Sequence, residues 1–147
     1  MKNVSHLFSQ SGKIESFESV MLSISAMRYM IEYEIVMKGT GAEISMYGIG
    51  FPGGERTRRL QKRTVCDTQT ALKLLNDCAL LSWNGFNGPH PKGVKDGTMF
   101  TLKATVNGGK KIYAAGSQNF PKHYRDFTDG LHALLDGADV IMASATD

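Results

Sequence analysis

The sequence predicts an α+β fold: a mainly antiparallel sheet in the order β-β-β-β-α-β-β-α, with two helices packed on one face. Several segments alternate apolar and polar residues with a period of two, which indicates half-buried strands. Two other segments repeat apolar residues at the spacing of an amphipathic helix. Neighbouring strands are separated by short turns, and strands joined in this way pair antiparallel.

Four strands are predicted in the first half of the chain. Residues 14–25, 28–38 and 42–49 each alternate in this way and predict the first three strands. The stretch GIGFPGG, residues 48–54, interrupts the third strand because glycine and proline favour a turn. The basic stretch ERTRRLQKR follows and predicts a fourth strand that ends near Val65.

A first helix is predicted after the fourth strand. Asp67 or Thr68 can cap its N-terminus, since each side chain carries an oxygen that accepts from a free backbone N–H. Apolar residues then recur along one face, namely Ala71, Leu72, Leu74, Leu75, Cys78 and Ala79. Residues 82–97 form a long loop rich in glycine and proline.

Two more strands are predicted over residues 98–106 and 110–116. The turn between them, Asn107-Gly108-Gly109, suits the positive φ angles of a tight hairpin. Their alternation matches that of the earlier strands, so we expect them in the same sheet.

A second helix is predicted near the end of the chain. Pro121 fits its first turn, and Gly137 is its predicted C-terminal cap. Asn119 can cap the helix start, and Phe120 can act as a staple against it. The apolar face consists of Tyr124, Phe127, Leu131, Leu134 and Leu135.

The length of 147 residues indicates one domain. We expect a flexible N-terminus over residues 1–12 and the α+β domain over residues 13–137. Residues 138–147 form a C-terminal tail for which the sequence makes no structural prediction.

Positive charge is concentrated in one stretch of the chain. The net charge is +3, but residues 55–65 alone carry five basic side chains against one acidic side chain. The five are Arg56, Arg58, Arg59, Lys62 and Arg63. Because neither face of this strand is apolar, we expect it at an edge of the sheet, where Lys and Arg discourage pairing with another chain.

Strand alternation divides these five cations between two faces. We expect Arg56, Arg58 and Lys62 on one side and Arg59 and Arg63 on the other. Each face then presents two or three cations, which allows only a few phosphate contacts. Edge protection is therefore favoured over nucleic-acid binding.

The cysteines Cys66 and Cys78 lie outside any C-x-x-C pair, which indicates a reduced, cytoplasmic protein. The first residues lack the apolar segment of a signal peptide, and no apolar run is long enough to span a membrane. With His90 and His123 these cysteines match no zinc-ligand spacing. We therefore expect no metal, no other cofactor and no membrane partner.

Two motifs suggest a ligand or a catalytic site. GIGFPG, residues 48–53, matches G-x-G-x-x-G, but a strand is predicted after it where a dinucleotide site needs a helix, so we expect a wide turn. Ser117, His90, Asp96 and Asn119 lie in loops that can converge. However, the chain has no G-x-S-x-G nucleophile elbow.

Two pairs of polar residues have simpler explanations. Glu32 and Glu34 share one face of the second strand, as expected for a solvated sheet face. His132 and Asp136 are four residues apart on the second helix, as expected for an exposed helix pair.

The second half of the chain carries a recurring set of turn motifs. Trp83 follows the first helix, Asp96-Gly97 opens a hairpin, and GSQNFP at residues 116–121 leads into the last helix as a G-S-x-N-[FY]-P pattern. In these features residues 65–136 resemble a type of small, uncharacterised bacterial α+β protein. The resemblance implies no activity, and the basic strand is not part of its pattern.

These observations favour a small non-enzymatic binding protein, bacterial or phage-encoded, that recognises another protein and can inhibit it. Two alternatives stay open. One is a nucleic-acid-binding module that uses residues 56–63, and the other is a small enzyme or phosphate-ligand binder with a site in loops 84–97 and 116–123. No residue is assigned a catalytic role. The candidate binding residues are Arg56, Arg58, Arg59, Lys62, Arg63, Trp83, His90, Asp96 and Asn119.

Overall fold

The computed structural model describes residues 13–94 and 97–146, with side chains described as far as Gly137. Seven strands form one sheet: β1 (Phe17–Ala26), β2 (Tyr29–Lys38), β3 (Gly41–Gly50), β4 (Thr57–Asp67), β5 (Asn87–Gly88), β6 (Met99–Val106) and β7 (Lys110–Ser117). Their order across the sheet is β4-β3-β2-β1-β6-β7-β5. The expected flexibility of residues 1–12 lies outside the described residues.

Every pair of neighbouring strands is antiparallel except β5 and β7, which are parallel. Two helices complete the fold, α1 (Thr68–Asp77) and α2 (Tyr124–Thr146). Short 3-10 turns occupy Pro52–Gly54 and Leu80–Trp83. The predicted α+β class, with its mainly antiparallel sheet, is confirmed.

The alternation seen in the sequence becomes two different faces of the sheet. Val20, Leu22 and Ile24 of β1 are buried, and they pack in one core cluster with the buried residues of both helices. The intervening serines of β1 lie on the other face, which no described helix covers, and we call this the open face. The sheet thus has one packed face and one open face.

The first helix begins where the sequence predicts. The Asp67 carboxylate accepts from the backbone N–H of Thr70 at 2.7 Å and so caps α1. Ala71, Leu72 and Leu75 face the core. This helix therefore joins the basic edge strand to the packed face of the sheet.

The second helix differs from its predicted limits. It begins at Tyr124, so Pro121 lies before the helix, where its carbonyl accepts from the Tyr124 N–H at 3.2 Å. It also continues through Gly137 to Thr146, because Gly137 has no positive φ and so cannot form the predicted left-handed cap. Phe120 does act as a staple, since its ring stacks on Tyr124 with centroids 4.4 Å apart.

The two-residue strand β5 was not predicted, and it attaches the long loop to the sheet. It pairs Asn87 with Ala115 of β7. Gly88 and Gly116 allow the chain to approach closely here: a Cβ atom on Gly116 would lie 2.0 Å from the carbonyl oxygen of Asn119. Glycine is therefore required at the start of GSQNFP by close packing.

Candidate functional site

The basic strand β4 lies at one edge of the sheet, as predicted. Its register against β3 shifts between Met46 and Tyr47, so that Gln61 is an extra residue without a partner on β3. A bulge of this kind interrupts the alternation of side chains between the two faces.

The predicted division of the cations is wrong because of this bulge. Arg58 and Arg63 lie on the same, open face of the sheet, although they are five residues apart. Lys62 lies on the opposite face, towards α2. Arg56 precedes the strand and reaches the open face, whereas Arg59 pairs with Gly48 on the helix side.

The open face holds a network of ion pairs around Glu32. This carboxylate is only 7% exposed and accepts from both Arg56 and Arg58, with Arg58 Nε at 3.1 Å from Glu32 Oε1. Arg58 Nη2 also donates to Glu34 at 3.1 Å, and its guanidinium lies 3.6 Å from the centre of the Tyr47 ring. The expectation of a solvated carboxylate is therefore wrong for Glu32.

Arg63 extends this network along the edge. Its Nε donates to Ser45 Oγ at 2.9 Å and lies 3.5 Å from a carboxylate oxygen of Glu43. Its Nη2 donates to the Tyr47 hydroxyl at 3.0 Å. Carboxylates on the two strands next to the edge thus bind the guanidinium groups on the open face of the sheet.

His132 and Asp136 of α2 interact electrostatically, as a helix pair would, but each makes its direct contact with the sheet. Asp136 binds Lys62 of β4, and the hydrogen bond from that ammonium lowers the pKa of the carboxyl group. His132 Nε2 instead lies 2.5 Å from the hydroxyl of Tyr33, on the inner face of β2. Burial raises the pKa of Tyr33. Both helix residues therefore attach α2 to the sheet.

Most of the charge in the basic stretch is thus balanced inside the protein. Arg56, Arg58, Lys62 and Arg63 each contact a carboxylate. Arg59 forms no ion pair with any residue that the structure describes. This arrangement leaves the strand a weaker attraction for phosphates than five free cations would have.

The candidate site lies at one end of the sheet, which we call the loop end. Strand directions bring four connections together there: the β1–β2 turn, the β3–β4 loop at residues 51–56, the residues before β6 and the segment 118–123. The opposite end carries the β2–β3 and β6–β7 turns, the segment 13–16 that enters β1 and the start of α1, and we call it the turn end.

Large apolar side chains are exposed at the loop end. Met27 is 67% exposed, Phe51 is 54% exposed and Tyr29 is 53% exposed. Val94 and Met99 are also exposed. Val94 lies in the loop before β6, and Met99 is the first residue of β6. Exposed aromatic and methionine side chains next to grooves are typical of protein-recognition surfaces.

One groove at this end has a volume of about 660 Å³ and separates the β1–β2 hairpin from the start of α2. Four aromatic residues line part of it, namely Tyr29, Tyr33, Phe120 and Tyr124, and polar or charged side chains of the segment 118–132 line much of the rest. Burial also raises the pKa of Tyr124. A further groove of about 500 Å³ lies on the other side of Tyr29, where Pro52 of the β3–β4 loop forms part of the wall.

Another groove, of about 490 Å³, contains two of the predicted loop residues. His90 Nδ1 lies 2.8 Å from Ser117 Oγ, so these two side chains do converge. His90 Nε2 binds the carbonyl oxygen of Val94, and His90 is exposed, as expected for a histidine between two loop prolines. Asp96 lies outside the described residues.

The remaining loop candidates have supporting positions. The Asn119 side chain donates to the carbonyl of Pro89 at 3.3 Å and does not cap α2; the residues with positive φ in this segment are Gln118 and His123. Trp83 is 1% exposed and packs edge-on against Phe127, with ring centroids 5.7 Å apart. It can support the loop from beneath but cannot contact a partner directly.

The G-x-G-x-x-G match forms a turn, as expected, because β4 follows it and only the 3-10 turn Pro52–Gly54 intervenes.

Cys78 is buried, which raises its pKa to about 11, and Cys66 is partly buried and also unpaired. Among the side chains of residues 13–94 and 97–137, no three His, Cys, Asp or Glu are grouped as metal ligands would be.

Comparison of the chain with protein-family models, with curated proteins and with solved structures found no match. The resemblance of residues 65–136 to a small bacterial protein type therefore stays a prediction. No helix in the described part of the chain has both the length and the apolar character needed to cross a membrane.

Sequence reasoning missed the contact between Tyr33 and His132. One signal was present: Tyr33 lies on the apolar face of β2, and a buried tyrosine hydroxyl usually finds a hydrogen-bond partner. The partner, however, is 99 residues away in the chain, and its identity depends on how α2 crosses the sheet.

Proposed function

We propose that this chain is a binding protein that recognises another protein with its loop end. The observation that carries the proposal is the exposure of Met27, Tyr29 and Phe51 on neighbouring loops beside two grooves. Burial of these apolar side chains against a partner lowers the free energy of the complex by about 25 cal/mol per Å² of surface removed from water. Binding alone would be enough to inhibit a partner.

The internal pairing of the basic strand supports a protein partner over a nucleic acid. A cation that already contacts a carboxylate must break or share that contact to neutralise a phosphate. Arg58 is held by Glu32, Glu34 and the Tyr47 ring together. Arg59 is the strand cation without such a contact among the described residues, and one free cation provides little affinity.

The test uses two variants with equal numbers of exposed apolar residues removed. The loop-end variant is Met27→Ser/Tyr29→Ser/Phe51→Ser. The control is Met37→Ser/Val65→Ser/Tyr113→Ser, whose side chains are 41%, 61% and 52% exposed away from the loop end. Each tagged protein is used to capture partners from nuclease-treated extracts of the source cell, and the captured protein is then purified and titrated by calorimetry.

We expect the loop-end variant to weaken the affinity for that protein by at least about 100-fold, as loss of central anchor residues does. The control should stay within about threefold of the wild type. If the control loses the partner and the loop-end variant keeps it, the proposed surface is wrong.

A further arm tests the nucleic-acid alternative directly. Binding of duplex and single-stranded DNA is measured by anisotropy for the wild type and for Arg56→Glu/Arg58→Glu/Lys62→Glu. We expect no tight binding at physiological salt and a log–log salt slope no steeper than about −2.7, the value for three phosphate contacts. Tight wild-type binding that the variant abolishes would favour nucleic acid as the partner.

A further inference from the structure

We propose that Ser117 is a nucleophile activated by His90, and that it accepts small acyl groups from esters. This inference is independent of the protein-binding proposal and departs from the expectation of a non-enzymatic protein. It begins with the contact between His90 Nδ1 and Ser117 Oγ at 2.8 Å. A hydroxyl and an imidazole at this distance are the first two parts of a nucleophile–base arrangement.

The second nitrogen of the imidazole decides the direction of that contact. His90 Nε2 binds the backbone carbonyl of Val94, and a carbonyl oxygen can only accept. In the neutral ring Nε2 therefore carries the proton, and Nδ1 has the free lone pair. Ser117 must then donate its hydroxyl proton to Nδ1, which is the direction that general-base activation requires.

The Val94 carbonyl is the third part of the nucleophile–base arrangement, the group that orients the base. It fixes the tautomer and the orientation of the ring, and it stabilises the imidazolium that forms when the ring takes a proton. It is a positioning group, because it does not contact the reacting atoms.

The groove around the pair sets the class of substrate. Both His90 and Ser117 line the groove, and much of the remaining wall is apolar: Met30, Met99, Phe100 and Ala115. A volume of about 490 Å³ accommodates a short acyl chain with its leaving group. The apolar wall favours an uncharged acyl group.

The reaction conserves protons and needs no further reactant except water. Ser117 Oγ attacks the ester carbonyl carbon, and its proton passes to His90 Nδ1. The bond from that carbon to the leaving-group oxygen breaks, and the alkoxide takes the proton from Nδ1. Water then attacks the acyl-serine with the same nitrogen as base, which releases the acid and restores the serine hydroxyl.

The test uses a fluorophosphonate probe and p-nitrophenyl butyrate on the full chain. We expect one phosphonyl adduct per chain, located at Ser117 by peptide mass spectrometry. Ser117→Ala should abolish it, and His90→Ala and His90→Gln should slow labelling and ester hydrolysis at least tenfold. The control Ser19→Ala, which changes a serine of β1 that does not line this groove, should stay within twofold of the wild type.

Two readouts of the same variant, its labelling rate and its melting temperature, separate activation from loop packing. His90→Gln can still bind the loop by hydrogen bonds but cannot act as the base, so slow labelling together with an unchanged melting temperature supports the proposal. An absence of any adduct at Ser117, or labelling of both His90 variants at the wild-type rate, would overturn the proposal.

Discussion

The two ends of the sheet use polar side chains in different ways. At the turn end, side chains bind the backbone: Asn107 accepts from the backbone of Glu15 and Ser16, and Thr68 donates to the carbonyl of Thr40 at 3.0 Å. At the loop end, some side chains bind the backbone, as Gln118 and Asn119 do, but others bind one another, as His90 and Ser117 do. A side chain that binds the backbone fixes the path of the chain. A contact between two side chains does not, so those residues can be substituted without moving the backbone.

This difference suggests a division of work between stability and recognition. The exposed Met27, Tyr29 and Phe51 lie at the loop end, together with grooves of about 660, 500 and 490 Å³. The segment that enters β1, residues 13–16, is instead held by two asparagines, Asn76 and Asn107. Substitutions of similar chemistry at the two ends should therefore differ in their cost to folding.

The largest effect is expected for Asn76→Ala. Asn76 accepts from the Ile14 N–H at 2.8 Å and donates to the Ile14 carbonyl at 2.9 Å, and Ile14 is 1% exposed. The substitution leaves two buried backbone groups without partners and should lower the free energy of unfolding by about 2–4 kcal/mol. Urea denaturation measures the change.

The matched loop-end substitution is Asn119→Ala. Asn119 makes one exposed hydrogen bond, to Pro89, so its loss should cost no more than about 1 kcal/mol. Equal losses of stability in the two variants would contradict the proposed difference between the ends.

A smaller effect is expected at Gly116, the position where the loop end is anchored to the sheet. A Cβ atom there would lie 2.0 Å from the Asn119 carbonyl and 2.7 Å from the Phe100 ring, so Gly116→Ala must displace the segment that follows. We expect a loss of about 1–3 kcal/mol in the free energy of unfolding, measured by thermal and urea denaturation.

Gly137→Ala is a control that should raise the free energy of unfolding, whereas Gly116→Ala should lower it. A Cβ atom at Gly137 meets nothing within 4 Å, and Gly137 lies inside α2 with no positive φ. Alanine should therefore stabilise the protein by about 0.5–1 kcal/mol. Destabilisation by Gly137→Ala would instead support the cap that the sequence predicted.

Local chemistry made much of this fold predictable. The alternation in β1, β2 and β3 and the cap at Asp67 act over a few residues, and each is confirmed. The bulge at Gln61 was not predictable, because it depends on which residue of β3 lies opposite. The two-residue strand β5 is too short to carry a periodic signal.

The candidate site was predictable only in part, because its contacts join residues that are far apart in the sequence. The predicted loop positions of His90 and Ser117 suggested that these side chains could meet, and they do. The partners of the basic residues could not be inferred, because the contact between Arg58 and Glu32 spans 26 residues and needs the register of three strands.

The smallest effect concerns the Asp67 cap at the turn end and appears only in acid. Hydrogen bonds from Thr70 lower the pKa of Asp67 in the folded protein. A carboxyl group with a lowered folded pKa stabilises the protein above its unfolded pKa, about 3.9, and loses that contribution as pH falls through the folded value.

Asp67→Asn keeps a capping oxygen but does not titrate. We therefore expect any stability advantage of the wild type over Asp67→Asn to shrink between pH 5 and more acid conditions, as measured by urea midpoints across that range. Because Asp67 is exposed, water screens the interaction and the change should be small. Parallel profiles for the two proteins down to the lowest pH would show that the cap makes no charge-dependent contribution, and the turn end would then owe its stability to its neutral backbone contacts alone.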